Sequence, residues 1–291
     1  MQIGFIGLGS LGTPIATNIL ESGHQLHVYN RTASKTKALS VKGAIVSETI
    51  ASLAKGCDIV FTIVSDDAAL KEICESENGL LKNMKPGSIH VSMSTILPKT
   101  AENLSAVHQK QNQHYLAAPV FGRPEAAAAK KLNFAISGAE KIRSTIEPLL
   151  KDAGAAAVWH FGDTITAANT VKLCGNFLIA GALEAIGESV NLANASGVNA
   201  QNMWNMFLQT LFNAPVYHNY SGIILNKKFE PAAFTAKLGL KDLNLVLQQA
   251  ATVNQSMPLA ALLKKNMQQL VDSGKDQTDW SAVSTAVDKN T

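Results

Sequence analysis

The stretch AANTVKLCGNFLIAGALEAIGESV, from Ala167, places a lysine between two amides. Asn169, Lys172 and Asn176 fall at i, i+3 and i+7, one face of a helix. Around them the sequence is apolar on nearly every side, which implies burial between domains rather than a wet surface. A lysine so placed loses hydration, and desolvation moves its proton affinity toward the range of a general acid or base. An amide one turn away can hold a substrate hydroxyl or carboxylate without competing for the proton. The spacing fits a structural lysine paired with Glu184 or another carboxylate equally well, and residue type alone leaves both readings open.

A second constellation lies at the start of the chain. In GFIGLGSLG, Gly7, Gly9 and Gly12 form G-x-G-x-x-G after a strand-like run and at the head of a helical stretch from about Leu11 to Ser22. In that context the first glycine permits a tight turn, the second lets backbone approach a pyrophosphate, and the third lets the helix pack on a sheet. The backbone of Gly7, Leu8, Gly9, Ser10, Leu11 and Gly12 is then the phosphate cradle, at a helix N-terminus. The alternative is a glycine-rich turn without a ligand. The end of the second strand discriminates between dinucleotides. An NAD-preferring site carries an acid there; this chain has Asn30-Arg31-Thr32, whose arginine fork and hydroxyl suit a 2′-phosphate. NADP(H) is therefore expected in preference to NAD(H), a solvated loop charge at Arg31 being the alternative.

The elements that must carry these residues follow from periodicity. Up to Gly162, strand-like runs at 4–7, 25–30, 44–46, 58–64, 88–93, 114–120, 133–137 and 156–162 alternate with helical ones, as in a mostly parallel sheet covered on both faces. After Gly162 only helical patterns remain, beginning with a helix of roughly 30 residues that ends near Ser196-Gly197. Asn199 and Pro258 each open a further helix, and KLGLKDLNLVLQQAATVN forms another. The expected architecture is α/β: an N-terminal Rossmann-type doubly wound sheet over 1–162, then an all-helical substrate and dimerisation domain over 163–291 that begins with the long interdomain helix.

Composition excludes several classes. Hydrophobic residues make up 46% and charged residues 16%, and the net charge is only +3 with no dense basic block, so no nucleic-acid partner is expected. Cys57, Cys74 and Cys174 share no metal-ligand spacing and read as reduced thiols of a cytoplasmic protein. Seven histidines are scattered without the i, i+4 spacing of a helical metal site, so no metal is expected; His160 falls at a strand end and His218 in a loop. Trp204, Phe207 and Phe212 read as core. The N-terminus has no signal-peptide pattern, and the long apolar helix carries Lys172 and two glutamates, so no membrane association is expected.

Taken together, GFIGLGSLGTPIATNIL, NRT after the second strand, TIVSD, MST at 93–95, AAPV at 117–120, NTVKLCGN and KDLNL resemble the β-hydroxyacid dehydrogenase family. This is the group of 3-hydroxyisobutyrate dehydrogenase and the glyoxylate/succinic semialdehyde reductases, related to 6-phosphogluconate dehydrogenase. The resemblance runs from residue 1 to about 285. It implies a nicotinamide cofactor on the Rossmann domain, bordered by Val64, Ser65 and Asp66 after the fourth strand and by Thr95. It also implies a catalytic Lys172, a substrate-holding Asn176, and a Lys241 that reaches the cofactor or closes over the site. One segment departs. The family follows A-P-V with a serine and glycines that receive the substrate carboxylate; here Phe121, Gly122 and Arg123 stand there, an apolar wall and a possible anion clamp in place of the hydroxyl.

The expected activity is thus NADP(H)-preferring interconversion of a small 3-hydroxy acid and its semialdehyde or keto form by a homodimer or homotetramer. Two alternatives are an imine reductase, whose relatives generally lack a lysine at this position, and a dinucleotide-binding protein without turnover.

Overall fold

The computed structural model describes residues 2–288 and divides into two compact units, Met1–Lys172 and Leu173–Thr291. In the first, β1 (Gln2–Ile6), β2 (Gln25–Tyr29), β3 (Ile45–Val46), β4 (Ile59–Thr62), β5 (Ile89–Ser92) and β6 (His114–Ala117) form one sheet in the order β3-β2-β1-β4-β5-β6. All five pairings are parallel. Every residue of β4 and β5 is buried, as expected of central strands covered on both faces. Side chains alternate between the faces: Ile3, Phe5 and Phe61 enter one apolar cluster with Ile15 and Ile19, while Ile6 and Val60 enter another with Leu53 and Leu104.

The run at 114–120 is two strands rather than one. Ala118 N still donates to Ser92 O (2.8 Å), but Pro119 has no N–H and its carbonyl accepts from Ala135 N instead (3.0 Å). The chain thereby leaves the large sheet and enters a second, three-stranded one. This sheet comprises β7 (Val120–Phe121), β8 (Leu132–Ile136) and β9 (Ala155–His160), with β7 antiparallel and β9 parallel to β8.

Beneath the large sheet a polar chain is buried in the apolar interior. The amide of Gln113 donates to Leu81 O (3.1 Å) and Met84 O (2.9 Å), so its Oε1 accepts from His108 Nδ1 (2.9 Å). His108 Nε2 is then left to accept from His90 Nδ1 (2.9 Å), and His90 Nε2 from the Thr62 hydroxyl (2.9 Å). Cys74 Sγ lies 3.8 Å from His90 Nδ1. The network assigns every proton, and both imidazoles are neutral. Burial holds His108 down at about 4, and burial reinforced by His108 holds His90 well below the usual histidine range.

The long helix, Ala167–Ala195, begins in the first unit and continues into the second. By length and composition it is apolar enough to cross a membrane. Its Leu183, Ile186 and Val190, however, lie in one core with Trp204, Leu243, Met267 and Trp280. Helices Ala200–Gln209, Pro215–Leu225, Ala236–Thr252 and Pro258–Leu270 complete that unit, with Asn199 Oδ1 capping Asn202 N (2.9 Å) and Pro215 and Pro258 in their helices' first turns. His218 is helical rather than in a loop, because Pro215 starts a helix there. Gly187 gives the C-terminal segment room: a Cβ on it would lie 2.5 Å from Ser284 Cβ.

Candidate functional site: a dinucleotide turn and a lysine beside an aromatic ring

The sheet order reverses between β1 and β4, and the loops leaving the C-terminal ends of these strands are where an open α/β sheet receives ligands. After β1, Gly7 adopts φ +105°, and a Cβ on it would sit 2.1 Å from Ile63 O. A Cβ on Gly12 would sit 2.0 Å from Gly7 O, whereas Gly9 faces open space. The helix Gly12–Glu21 starts after Leu11, with no side chain capping it. Within its first turn Thr13 N donates to Gly9 O (3.0 Å) and Pro14 carries no N–H, so the turn that could meet an anion is the backbone ahead of the helix, which has no side-chain cap among the described residues and lies at an open glycine. That combination fits a diphosphate, which would be held by the backbone of Gly9, Ser10, Leu11 and Gly12. Leu8 itself is buried, and its N–H donates to Asn30 Oδ1 (2.9 Å).

Asn30 also donates from Nδ2 to Thr32 O (2.9 Å), so its side chain ties the glycine turn to the end of β2. Arg31 and Thr32 are exposed beyond it. Around the next loop, Val64 N donates to Ser94 Oγ (2.9 Å) and Leu97 N to Asp67 Oδ1 (3.0 Å), which laces the segments after β4 and β5 together beside Thr95. Asp66 caps the helix Asp67–Glu75 through Ala69 N (2.8 Å) and accepts from Ser65 Oγ (2.7 Å).

The lysine lies in this same unit. Lys172 Nζ sits 4.1 Å from the centroid of the Phe121 ring, within cation–π range. Phe121 is in β7, opposite Asn133; Gly122 follows at φ +144°; and Arg123 precedes the helix Pro124–Ala128, with Nε 3.9 Å from Glu125. Asn169, one turn before Lys172, is buried, and its Oδ1 finds no hydrogen-bond partner among the described residues.

In the second unit, Asn176 Nδ2 donates to Asp242 Oδ2 (2.5 Å), and Lys241 Nζ lies 2.7 Å from Asp242 Oδ1. Asp242 is 2% exposed. The carboxylate that sequence alone offered to Lys172, Glu184, instead accepts from Asn266 (2.5 Å), and twelve residues of helix, about 18 Å, separate it from the lysine. Burial, opposed by the Asn266 hydrogen bond, raises its carboxyl above the usual range.

Sequence reasoning brought Lys172, Asn176 and Lys241 into view but missed Ser94, Asp67 and Asp242. For Asp242 a signal existed: an acid on the apolar face of Ala236–Thr252, among Gly239, Leu243 and Val246. Ser94 and Asp67 act through loop geometry that no spacing rule encodes.

A family model described as the NAD binding domain of 6-phosphogluconate dehydrogenase matches residues 2–162. A second, described as NAD-binding of NADP-dependent 3-hydroxyisobutyrate dehydrogenase, matches residues 166–287. The chain belongs to the β-hydroxyacid dehydrogenase family. Within it, the chain is 40% identical to the uncharacterized oxidoreductase YfjR of Bacillus subtilis over 97% of this chain and 98% of that one. It is 29% identical to the 2-hydroxy-3-oxopropionate reductase of Escherichia coli, over 99% and 97% of the two chains. The crystal structure of 3-hydroxyisobutyrate dehydrogenase from Salmonella typhimurium superposes with a TM-score of 0.88 at 26% identity, covering 98% of this chain and 99% of that one. An imine reductase from Pseudomonas sp. shares only the fold, with 18% identity and a TM-score of 0.64 over 98% and 99% of the chains. This β-hydroxyacid dehydrogenase is therefore an NAD(P)-dependent oxidoreductase of the 3-hydroxyisobutyrate dehydrogenase type that acts on a small-molecule hydroxyl substrate.

Proposed function

We propose that the enzyme prefers NADP(H) and interconverts a small 3-hydroxy acid and its semialdehyde or keto form, with Lys172 as general acid and base. The observation that carries this reading is the placement of Lys172 over the Phe121 ring, in the same unit as the glycine turn. The nicotinamide, when bound, supplies or takes up the hydride. In reduction, protonated Lys172 gives its Nζ proton to the carbonyl oxygen as the new C–H bond forms, and is reprotonated from solvent. In oxidation, neutral Lys172 takes the hydroxyl proton. Asn176, one Nδ2 proton committed to Asp242, keeps Oδ1 to accept from the substrate hydroxyl. The Gly122 N–H and the Arg123 guanidinium receive the carboxylate, and Arg31 and Thr32 receive the 2′-phosphate. On this reading the first unit binds the dinucleotide through its glycine turn.

A homo-oligomer completes the proposal. Leu178 and Leu192, 68% and 70% exposed, lie on one face of the long helix at heptad spacing with Ala185, a stripe that suits a second copy of the chain.

The test is a panel of 3-hydroxy acids and semialdehydes assayed with NADPH/NADP⁺ and NADH/NAD⁺ for wild type, Lys172→Ala and Arg31→Ala. NADP(H) preference, its loss in Arg31→Ala, and a fall of about a hundredfold or more in Lys172→Ala are expected. Residual activity of Lys172→Ala within about tenfold of wild type would refute the acid–base role.

A further inference from the structure

Cys74, His90 and His108 come from three elements: the helix Asp67–Glu75, strand β5 and the helix Pro98–Lys110. Their side chains meet beneath the large sheet, where all three are 0% exposed. Cys74 Sγ, one nitrogen of His90 and one of His108 lie within 4.8 Å of one another. Cys74 Sγ is 3.8 Å from His90 Nδ1, and that nitrogen is 2.9 Å from His108 Nε2. Nitrogen and sulfur donors held about 2.0–2.3 Å from one ion stand roughly 3.3–3.8 Å apart. The sulfur is already at that spacing, and the two nitrogens need part by only about half an ångström.

The outer nitrogens are engaged as those of metal-bound imidazoles are. His108 Nδ1 donates to Gln113 Oε1 (2.9 Å), which leaves Nε2 as a lone pair aimed into the cluster. His90 Nε2 faces the Thr62 hydroxyl (2.9 Å), which can accept as well as donate, so the His90 proton can pass to Nε2 and free Nδ1. In the metal-free chain the middle of the cluster is held by the proton between the two imidazoles.

The surroundings choose the ion. The cluster is set among Val60, Leu70 and Leu104, with the Tyr115 ring 5.2 and 5.7 Å from the two imidazoles. An uncompensated charge in such a site is costly. One thiolate and two neutral imidazoles balance a single positive charge, whereas a divalent ion leaves one charge over, and tetrahedral zinc calls for a fourth ligand. Thiolate donors select copper(I), and imidazole suits copper as well.

We propose that Cys74, His90 and His108 form a three-coordinate site for a soft monovalent cation, copper(I). On binding, the Cys74 S–H bond gives way to an S–Cu bond and its proton leaves to solvent. His90 moves its proton from Nδ1 to Nε2, and the copper stays copper(I) throughout. The ion then ties β5 to the two helices in place of the hydrogen bond between the imidazoles.

The experiment titrates copper(I), without oxygen, into the chelator-treated full chain in competition with a chromophoric copper(I) chelator. The exposed thiol is removed throughout by Cys174→Ser, so that it takes up no metal. One equivalent per chain is expected, with one sulfur and two nitrogen neighbours in its X-ray absorption spectrum and a raised thermal midpoint. Adding His108→Gln, which keeps the hydrogen bonds of the metal-free chain but has no imidazole, should weaken binding by about a hundredfold or more. Cys74→Ala should abolish it. Failure to bind, copper held by sulfur alone, an unchanged affinity in a folded His108→Gln chain, or uptake of zinc(II) but not copper(I) in a parallel titration overturns the proposal. His108→Gln decides even if Cys74→Ala does not fold.

Discussion

Replacing His108 by glutamine probes the buried chain Thr62–His90–His108–Gln113. Glutamine can keep both of its contacts, Oε1 accepting from His90 Nδ1 and Nε2 donating to Gln113 Oε1, while removing one titrating group. Protonating the folded wild type would set two N–H groups against each other in a buried site, and burial accordingly holds His108 at about 4 against the ordinary 6.5. A group whose folded value is depressed contributes stability that is complete above the unfolded value and is lost as pH falls, because the unfolded chain takes up the proton first. The window here runs from about 6.5 down to about 4, and the total is about 3 kcal/mol, or up to about 1.4 kcal/mol per pH unit. His90, also held well below the ordinary histidine range by burial and by His108, acts in the same direction as pH falls. Urea unfolding of wild type and His108→Gln at several pH values between about 7.5 and 4.5 reads this directly. The slope of stability against pH should be about 1.4 kcal/mol per unit shallower in the variant. Equal slopes would refute the neutral, proton-ordered chain.

Two further outcomes follow from other parts of the molecule. Removing Asp242 as Asp242→Ala should lower kcat/KM by roughly ten- to a hundredfold, the worth of a hydrogen bond to a charged group, because Asn176 loses its orientation and Lys241 its counter-charge. Asp242→Asn, which can still accept from Asn176, should lose less, and steady-state kinetics with a fixed cofactor concentration separate the two. Leu192→Glu should shift the mass measured by light scattering toward the monomer, and an unchanged mass would remove the exposed stripe of the long helix as an interface.

Much of the fold was legible because its signals are local. The glycines of the first turn, the apolar runs of β4 and β5, and the capping Asn199 each act through their own neighbours in sequence. The split at Pro119 was also encoded, since proline cannot donate to a ladder, but choosing the partner strand required the carbonyl of Pro119 to find Ala135. Lys172 could be read as either acid–base or structural from spacing, because a helix face says which residues are neighbours and not what approaches from elsewhere. Its contact with Phe121 joins residues far apart in the chain. The same holds for His90 and His108, which seemed scattered in sequence, and for Asp242, whose role emerges only once Asn176 is placed beside it.

Asn30 carries a consequence for altering the enzyme's coenzyme. Its Oδ1 accepts from Leu8 N and its Nδ2 donates to Thr32 O, so the residue at the end of β2 doubles as a clasp for the glycine turn. An aspartate there would keep the first contact, yet would turn a carboxylate oxygen toward the Thr32 carbonyl, acceptor against acceptor. The single exchange that would most directly favour a free ribose hydroxyl therefore also unfastens the loop proposed to cradle the phosphates. Redirecting this enzyme to another dinucleotide calls for a paired change, one that re-routes Thr32 as the acid is introduced.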